Sequence, residues 1–207
     1  MKVLNLFSGL GGNRKLWEGV SVTAVEQNSQ VADIYKTNFP SDTVIIGDAN
    51  SYLEQHYSEF DFIWSSPPCQ SHSKMVKATR HKARKLPDVS LYSHILFLQN
   101  FYSGKWVVEN VQPYYAPLIQ PTAKIGRHLF WSSCKHLHWL PEHMDTIQDT
   151  RIDFMNSDDK QYIEAMKQIY GISYDGNVYF SGRHSPGQAL RNCVPPSIGL
   201  LVFNSAK

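Results

Sequence analysis

Short apolar runs alternate with amphipathic stretches along the first 65 residues of the chain. The apolar runs are residues 3–7, 22–26, 43–46 and 60–65, and the amphipathic stretches are residues 13–19, 29–38 and 50–57. This alternation is typical of βα units that build a parallel sheet. Asp88 is a candidate N-cap for a helix to about residue 102. Residues 105–109 are a fifth predicted strand, which a simple winding of the sheet places beside the fourth. We therefore predict an α/β fold with a doubly wound, mostly parallel, Rossmann-like sheet.

Prolines interrupt the pattern after residue 113, so the predicted elements there are fewer. Residues 127–132 suit a strand, and residues 158–170 suit a helix that Ser157 or Asp158 would cap. A final helix is predicted over residues 194–204, with the Pro195-Pro196 pair in its first turn, where proline is tolerated.

Length and composition are those of an ordinary soluble globular domain. The 207 residues are 42% hydrophobic and 18% charged, which suits one catalytic domain with a small appendage. No apolar run reaches membrane-spanning length, and the amino terminus does not resemble a signal peptide. We therefore expect a cytoplasmic protein that does not bind membranes, is monomeric and needs no obligatory protein partner.

Charge is nearly balanced overall, at +2, but it is unevenly distributed. The segment from Gln70 to Pro87 contains no acid and six basic residues: Lys74, Lys77, Arg80, Lys82, Arg84 and Lys85. Such a segment suits contact with phosphates, and a solvated loop is an equally good interpretation on charge alone.

The three cysteines, Cys69, Cys134 and Cys193, are widely spaced and odd in number. No CxxC or HExxH spacing occurs, so the sequence predicts neither a disulfide framework nor a metal site. Each cysteine must therefore be judged as a thiol.

A glycine-rich segment, Phe7-Ser8-Gly9-Leu10-Gly11-Gly12, follows the first predicted strand and is expected to open the first helix. Glu26 ends the second strand, and Asp48 with Ala49 follows the third. The carboxyl ends of parallel strands form the edge at which such folds bind nucleosides. Each feature alone also suits an ordinary turn or helix cap, but together they favour a nucleoside pocket.

Cys69 follows the fourth strand in Pro67-Pro68-Cys69-Gln70, with the basic segment after it. Positive potential lowers the pKa of a thiol, and the thiolate is the reactive form, so Cys69 is a candidate nucleophile. The alternative is an inert buried thiol, which is our expectation for Cys134 and Cys193. Glu109, in Glu109-Asn110-Val111 at the end of the fifth strand, either contacts a base ring held against Cys69 or caps a turn.

These motifs, in this order, resemble those of the DNA (cytosine-5) methyltransferases. The resemblance covers the glycine-rich opening, Pro67-Pro68-Cys69-Gln70, Glu109-Asn110-Val111 and, near the carboxyl terminus, Arg191-Asn192-Cys193-Val194-Pro195-Pro196. It departs from the family at Asn5, where Asp is common, and at His72, where Phe is usual. It implies S-adenosyl-L-methionine as the cofactor, DNA as the partner and a target cytosine flipped out of the duplex.

The resemblance also implies roles for individual residues. The cofactor pocket would comprise Phe7, Ser8, Gly9, Gly11, Gly12, Glu26, Asp48, Ala49, Pro67, Asn192, Cys193 and Val194. Phe7 would stack on the adenine, Glu26 would bind the ribose and Asp48 the adenine edge. Cys69 would attack carbon 6 of the cytosine while Glu109 neutralises charge on the ring. The substrate contacts would be Gln70, Ser73, Asn110, Lys74, Lys77 and Arg80.

Arg127 lies in a segment that resembles a reduced form of the family's arginine motif, which implies a catalytic role; a surface ion pair is the alternative. Family members usually have a sizeable target-recognition domain after it. Here only residues 133–188 are available, so we expect a reduced recognition region there, with the catalytic domain formed by residues 1–132 and 189–207. A short or relaxed recognition sequence would follow.

Two other functions remain compatible with the sequence. The same chemistry could act on cytosine in RNA or in a nucleotide, or the protein could be a DNA-binding relative without activity. Intact Cys69 and Glu109 argue against the inactive relative.

Overall fold

A seven-stranded, mostly parallel sheet forms the centre of the protein, in a computed structural model that describes residues 1–73, 86–140, 160–176, 178 and 187–207. The strands are β1 Lys2–Leu6, β2 Ser21–Glu26, β3 Thr43–Ile46, β4 Phe62–Ser65, β5 Lys105–Val111, β6 Ala123–Ile125 and β7 His128–Ser132. Their spatial order is β3-β2-β1-β4-β5-β7-β6. Strands β1 to β5 are parallel, whereas β7 and β6 are antiparallel to their neighbours. The predicted fold class is confirmed, with β5 beside β4.

Helices follow β2, β3 and β4 as the sequence pattern predicts, and three more lie towards the carboxyl terminus. They are α1 Ser29–Asn38, α2 Ala49–His56, α3 Ser90–Phe101, α4 Lys160–Tyr170, α5 Gln188–Arg191 and α6 Pro196–Ala206. Short 3-10 helices occupy Tyr57–Glu59 and Lys135–Trp139. Within the described parts of the chain, none of the helices combines the length and the apolar character that crossing a membrane requires.

Two apolar clusters cover the two faces of the sheet, because successive side chains of a strand point to opposite faces. Val3 of β1 packs with β4, β5 and the buried face of α6. Leu4 and Leu6 of β1 pack on the other face with α2 and α3. Helix α4 belongs to a third cluster, which includes Leu10 and Val31. Part of the region between residues 133 and 188 therefore packs directly on α1 and on the turn that follows β1.

The predicted helix over residues 13–19 is wrong. These residues form consecutive turns, with hydrogen bonds from Arg14 N to Gly11 O and from Trp17 N to Arg14 O. The Arg14 guanidinium binds both carboxylate oxygens of buried Asp42, at 2.9 and 3.0 Å, and Tyr35 Oη donates to the same carboxylate at 2.9 Å. This buried network holds the segment by side chains rather than by helical hydrogen bonds.

Two smaller boundaries also differ from the prediction. The N-cap of α3 is Val89 rather than Asp88, whose carboxylate accepts a hydrogen bond from Ser90 N. Arg127 lies in the two-residue turn between β6 and β7, not in the strand, because Gly126 has φ 54° and reverses the chain there. The predicted caps of α4, Ser157 and Asp158, lie outside the described residues.

Helix α6 packs against the turns that follow β1. Trp17 stacks on Phe203 with ring centroids 4.5 Å apart, and Trp17 Nε1 donates to Gly199 O at 3.2 Å. A Cβ atom at Gly199 would lie 2.5 Å from Asn13 O, which is backbone. Glycine is therefore required at this helical position because the backbone of the turn approaches so closely.

We predict that Gly199→Ala destabilises the protein, although alanine normally favours a helix over glycine by about 1 kcal/mol. The clash with the Asn13 carbonyl should outweigh this gain and lower the free energy of unfolding by about 1–3 kcal/mol in urea denaturation. Asn204→Ala, at an exposed position of the same helix, is the control and should leave that free energy unchanged or raise it. A Gly199→Ala protein more stable than the wild type would contradict the packing described.

Candidate active site

The carboxyl ends of β1, β2 and β4 meet at one edge of the sheet, where backbone hydrogen bonds join the loops that leave them. Ser8 N, just after β1, donates to Val25 O of β2 at 3.1 Å. Ser66 N, just after β4, donates to Leu6 O of β1 at 3.2 Å. The glycine-rich turn and the loop that carries Cys69 therefore leave the sheet side by side.

The glycine-rich turn has a left-handed backbone at three positions: Phe7 (φ 54°), Gly9 (φ 53°) and Gly11 (φ 84°). A Cβ atom at Gly11 would lie 2.3 Å from the Phe39 ring, and one at Gly12 would lie 2.5 Å from Val194 O. The turn is thus pressed between α1 and the segment that precedes α6. A Cβ atom at Gly9 would meet no atom within 4 Å, so this part of the turn faces open space.

Glu26 holds the turn to the end of β2. Its two carboxylate oxygens accept hydrogen bonds from Gly9 N at 3.0 Å and from Asn28 N at 2.9 Å. Burial raises the pKa of the Glu26 carboxyl, and these backbone donors lower it in part. Each oxygen keeps a second lone pair, so the carboxylate can also accept from a hydroxyl group.

Asp48 is the N-cap of α2, the structural alternative that the sequence left open. Its Oδ1 accepts from Ser51 N at 2.8 Å, and this hydrogen bond lowers the pKa of the exposed carboxyl. Ala49, the next residue, is buried in the core.

His94 is a buried neighbour of this region that the sequence analysis missed. Its Nε2 lies 2.7 Å from Asn50 Oδ1, its Nδ1 lies 3.1 Å from Ser65 Oγ, and its ring centroid lies 5.5 Å from that of Phe7. Burial lowers the pKa of His94 to about 4, so the ring is neutral at physiological pH. Only the fold brings this histidine of α3 beside the turn after β1.

A buried hydroxyl in the turn fits a bound polar group. Ser8 is 6% exposed, and its Oγ has no hydrogen-bond partner among the residues that the structure describes. A buried hydroxyl without a partner is costly, which indicates that a ligand supplies one. The open side of Gly9 and the carboxylate of Glu26 border the same turn, so these residues fit a nucleoside cofactor.

The carboxyl-terminal motif packs against this turn. Val194 and Cys193 lie against Gly12, while Asn192 is exposed at the end of α5. Cys193 is buried, and burial raises the pKa of its thiol to about 12. Cys134 Sγ lies 3.2 Å from Ser205 O, where it contacts α6.

The loop that carries Cys69 is held to the chain that follows β5. The buried Pro67 accepts a hydrogen bond on its carbonyl oxygen from Asn110 Nδ2 at 2.9 Å. Cys69 O accepts from His72 N and Ser73 N, and Ser73 forms a β-bridge with Pro113. The short loop is therefore fixed on both sides of the cysteine.

Asn110 does not lie where a substrate contact was predicted. Its side chain is buried, Nδ2 donates to Pro67 O, and Oδ1 accepts from Val111 N at 3.0 Å. Its hydrogen bonds bind the loop of Cys69 to β5, which is a structural role.

The other predicted substrate contacts are only partly described. Gln70 is exposed and Ser73 is half-buried. Lys74, Lys77 and Arg80 lie outside the described residues.

The predicted low pKa of Cys69 is wrong for the unbound protein. The thiol is half-buried, and burial, followed by the charge of Glu109, raises the pKa of Cys69 to about 11. The charge of Arg127 lowers this pKa in part. Three predicted catalytic groups therefore lie close enough to influence one another electrostatically, although they come from β4, β5 and the β6–β7 turn.

Two buried histidines beside the catalytic groups were not predicted. His128 Nδ1 lies 2.7 Å from Glu109 Oε1, with both side chains almost fully buried. His72 Nδ1 lies 2.6 Å from Tyr115 Oη, and burial lowers the pKa of His72. Sequence offered a weak signal for the first, since His128 directly follows Arg127 in the arginine segment.

Comparisons with known proteins point to methyltransferases that act on cytosine or on RNA. The tRNA (cytosine(38)-C(5))-methyltransferase of Spodoptera frugiperda is 34% identical over 76 residues, which are 33% of this chain and 23% of that protein. Ribosomal RNA large subunit methyltransferase K/L of Pseudoalteromonas atlantica is 34% identical over 86 residues, which are 37% of this chain and 12% of that protein. The chain therefore spans less than a quarter of the curated relatives that it matches.

The solved structure of DNMT2 from Spodoptera frugiperda aligns with 70% of this chain and 53% of its own, at 20% identity and a TM-score of 0.47. Residues 1–116, more than half of the 207, match the family described as C-5 cytosine-specific DNA methylase. The matched stretch contains the glycine-rich turn, Glu26, Cys69 and Glu109. The protein belongs to the C-5 cytosine-specific DNA methylase family, whose methyl donor is S-adenosyl-L-methionine.

Proposed function

We propose that the protein methylates carbon 5 of cytosine in DNA through a covalent adduct with Cys69. The observation that carries this proposal is the convergence of a half-buried thiol with Glu109 and Arg127 at the sheet edge occupied by the glycine-rich turn. A nucleophile, an acid and a cation around one loop suit addition to a ring that must be polarised. The match to a DNA methylase family favours DNA as the substrate.

The cofactor would bind in the crevice beside the glycine-rich turn. Glu26 would accept from the ribose hydroxyls, Phe7 would stack on the adenine and Ser8 Oγ would gain the partner that it lacks. Asp48 would contact the adenine edge while it caps α2. When bound, S-adenosyl-L-methionine supplies an electrophilic methyl group. Other contacts would come from Gly9, Pro67, Ala49 and residues 192–194.

Addition of sulfur activates the base. The Cys69 thiolate forms a bond to carbon 6, and the electrons of the carbon 5–carbon 6 double bond shift towards carbon 5. Glu109 shares a proton with ring nitrogen 3 and so neutralises the charge that develops on the ring. After methylation, a general base removes the proton from carbon 5 of the cytosine. The carbon 5–carbon 6 double bond forms again, and the carbon 6–sulfur bond breaks to release the thiolate. One difficult substitution is thereby divided into easier steps.

The raised pKa of Cys69 places its ionisation within the catalytic cycle. At neutral pH the unbound enzyme holds a thiol, because burial and the Glu109 charge both disfavour the thiolate. Transfer of the Cys69 proton to Glu109 as the cytosine enters would remove the Glu109 charge and provide the proton that Glu109 shares with ring nitrogen 3. Thiolate formation is therefore coupled to substrate entry, with Arg127 as the favourable charge.

RNA is the second candidate substrate. The Spodoptera frugiperda relative is named as a tRNA cytosine methyltransferase. Cys69 lies within residues 1–116, which match the C-5 cytosine-specific DNA methylase family. We assign target recognition to residues 133–188, of which α4 packs on Leu10 and Val31. A region of this size offers little surface for recognising a long nucleotide sequence. A short recognition sequence or a partly single-stranded target would therefore suit the protein.

A substrate panel tests the proposal directly. Labelled methyl transfer should be measured with duplex DNA, single-stranded DNA, tRNA and free cytidine nucleotides, and transfer to duplex DNA should be the strongest. Stronger transfer to tRNA would replace the DNA assignment with the RNA one. An absence of transfer to all four would contradict the proposal.

We predict that Cys69→Ser abolishes transfer and leaves affinity for S-adenosyl-L-methionine nearly unchanged. Oligonucleotides that contain 5-fluorocytosine should form a stable adduct with the wild type, because fluorine cannot leave as the proton does. Mass spectrometry should locate this adduct at Cys69. Cys134→Ser is the matched control and should retain both transfer and trapping. A Cys69→Ser protein with full activity would refute the mechanism.

We predict opposite effects of two substitutions on Cys69 alkylation by iodoacetamide at pH 8. Glu109→Gln removes the charge that raises the thiol pKa, so the rate should increase about three- to tenfold. Arg127→Gln removes the charge that lowers this pKa, so the rate should decrease by a similar factor. The rate at Cys134, read from the same digest, is the internal control. Increases in both variants would indicate loosening of the fold and would contradict the electrostatic account.

We predict that Ser8→Ala weakens cofactor binding without destabilising the unbound protein. The Ser8 hydroxyl has no partner among the described residues, so its removal should leave the free energy of unfolding unchanged or raise it. Loss of one hydrogen bond of about 1 kcal/mol should raise the Kd for S-adenosyl-L-methionine about fivefold in calorimetry. Ser41→Ala, at an exposed position, is the control. Unchanged affinity in Ser8→Ala would exclude this hydroxyl from the cofactor site.

A further inference from the structure

Glu109 and His128 form a diagonal pair across two antiparallel strands. Glu109 of β5 lies opposite Phe130 of β7, and Val111 lies opposite His128. Residues two apart on a strand share a face, so Glu109 and His128 project from the same face at diagonal positions, within reach of long side chains. The 2.7 Å contact between Nδ1 and Oε1 is therefore built into the register of the sheet.

The neighbouring arginine determines where the imidazole carries its proton. Arg127 Nε donates to His128 Nε2 at 3.3 Å, and an arginine side chain can only donate. His128 Nε2 must then accept, so the proton of the neutral ring lies on Nδ1. That Nδ1–H points at Glu109 Oε1. The other end of the guanidinium is held as well, because Arg127 Nη2 donates to Arg191 O.

We propose that His128 is a positioning residue that holds the Glu109 carboxylate through an Nδ1–H···Oε1 hydrogen bond, in the tautomer that both this carboxylate and the Arg127 donor require. This inference rests on the proposed function, since it assigns Glu109 to the base. A carboxyl group whose Oε1 is held cannot rotate freely, so Oε2 is presented in one orientation for ring nitrogen 3. Orientation of this kind lowers the barrier by prepaying the loss of rotational freedom.

A purely structural explanation must be separated from this one. His128 and Glu109 are both buried polar residues, and their hydrogen bond would stabilise the fold even without a role in catalysis. The two explanations differ in which atom of residue 128 matters. Positioning needs a donor at Nδ1, whereas a structural role is served by any polar group of similar size.

Two amide substitutions separate these atoms. Nδ1 is bonded to Cγ, as is the amide nitrogen of asparagine, so His128→Asn keeps a donor near Glu109. The glutamine amide lies one carbon further out, near the position of Nε2, so His128→Gln keeps polarity but loses the donor at Nδ1. His128→Leu removes both.

Kinetics should rank the variants by this donor. We expect the kcat of His128→Leu and His128→Gln to fall about 10- to 100-fold, with the KM for the nucleic acid unchanged, because the buried His128 does not reach the substrate. His128→Asn should recover most of the lost kcat. Equal activity of Asn and Gln variants, or a wild-type kcat in His128→Leu, would overturn the proposal.

A surface pair provides the matched control. His56 Nδ1 lies 2.7 Å from Glu59 Oε1, which reproduces the contact at an exposed position of the chain. His56→Leu should leave kcat and KM at wild-type values. A loss of kcat equal to that of His128→Leu would show that removal of any such pair affects the enzyme, and would overturn the specific role.

Nuclear magnetic resonance gives a readout that does not depend on activity. Long-range ¹H–¹⁵N correlation spectra of the imidazole rings should assign the His128 proton to Nδ1 in the wild type. A proton on Nε2 in the wild type would overturn the inference. Failure of the wild type to transfer methyl groups would instead contradict the proposed function, while the tautomer would still test the hydrogen bond.

Discussion

The hydrogen bond from Asn110 Nδ2 to Pro67 O joins the loop of the nucleophile to the strand of the acid. Strands β4 and β5 are adjacent and parallel, so Cys69 and Glu109 leave the sheet at the same edge. Parallel pairing alone would not prevent the loop from moving away after Ser65. The amide of Asn110 also binds Val111 N through Oδ1, which fixes its orientation. The buried Asn110 side chain therefore helps to fix the distance between thiol and carboxyl, together with the Ser73–Pro113 bridge.

Cys69 is protonated in the unbound protein, and under the proposed function this keeps a reactive thiol unreactive until the substrate enters. Burial and Glu109 favour the protonated sulfur, whereas Arg127 favours the thiolate. Oxidation and alkylation follow the thiolate, so a protonated resting state protects the enzyme between turnovers. A permanently ionised cysteine would be attacked by small oxidants. The opposing charges allow substrate entry to alter the balance.

Local patterns predicted β1 to β5 and α1 well, because adjacent residues are sufficient to show a buried strand or an amphipathic helix, whereas β6 was missed. The errors arise where contacts join residues far apart in the chain. The turns at residues 13–19 depend on Arg14 reaching Asp42, and the role of His128 depends on the register of β7 with β5. The sign of the Cys69 pKa shift was wrong because the sequence shows nearby charges but not desolvation. The glycine-rich turn, Glu26 and Asp48 could be proposed as cofactor contacts from local pattern, since each lies at the end of a predicted strand.

Arg127 connects the two halves of the active site. Its Nε donates to His128, which in turn contacts Glu109. Its Nη2 donates to Arg191 O, just before the motif that packs on the glycine-rich turn. Gly12 contacts Val194 so closely that no side chain fits between them, so a shift of that segment must move the turn. The same guanidinium thus lowers the pKa of the proposed nucleophile and donates a hydrogen bond to the backbone beside the proposed cofactor crevice. A contiguous series of hydrogen bonds and packed backbone therefore joins the predicted catalytic groups to the glycine-rich turn.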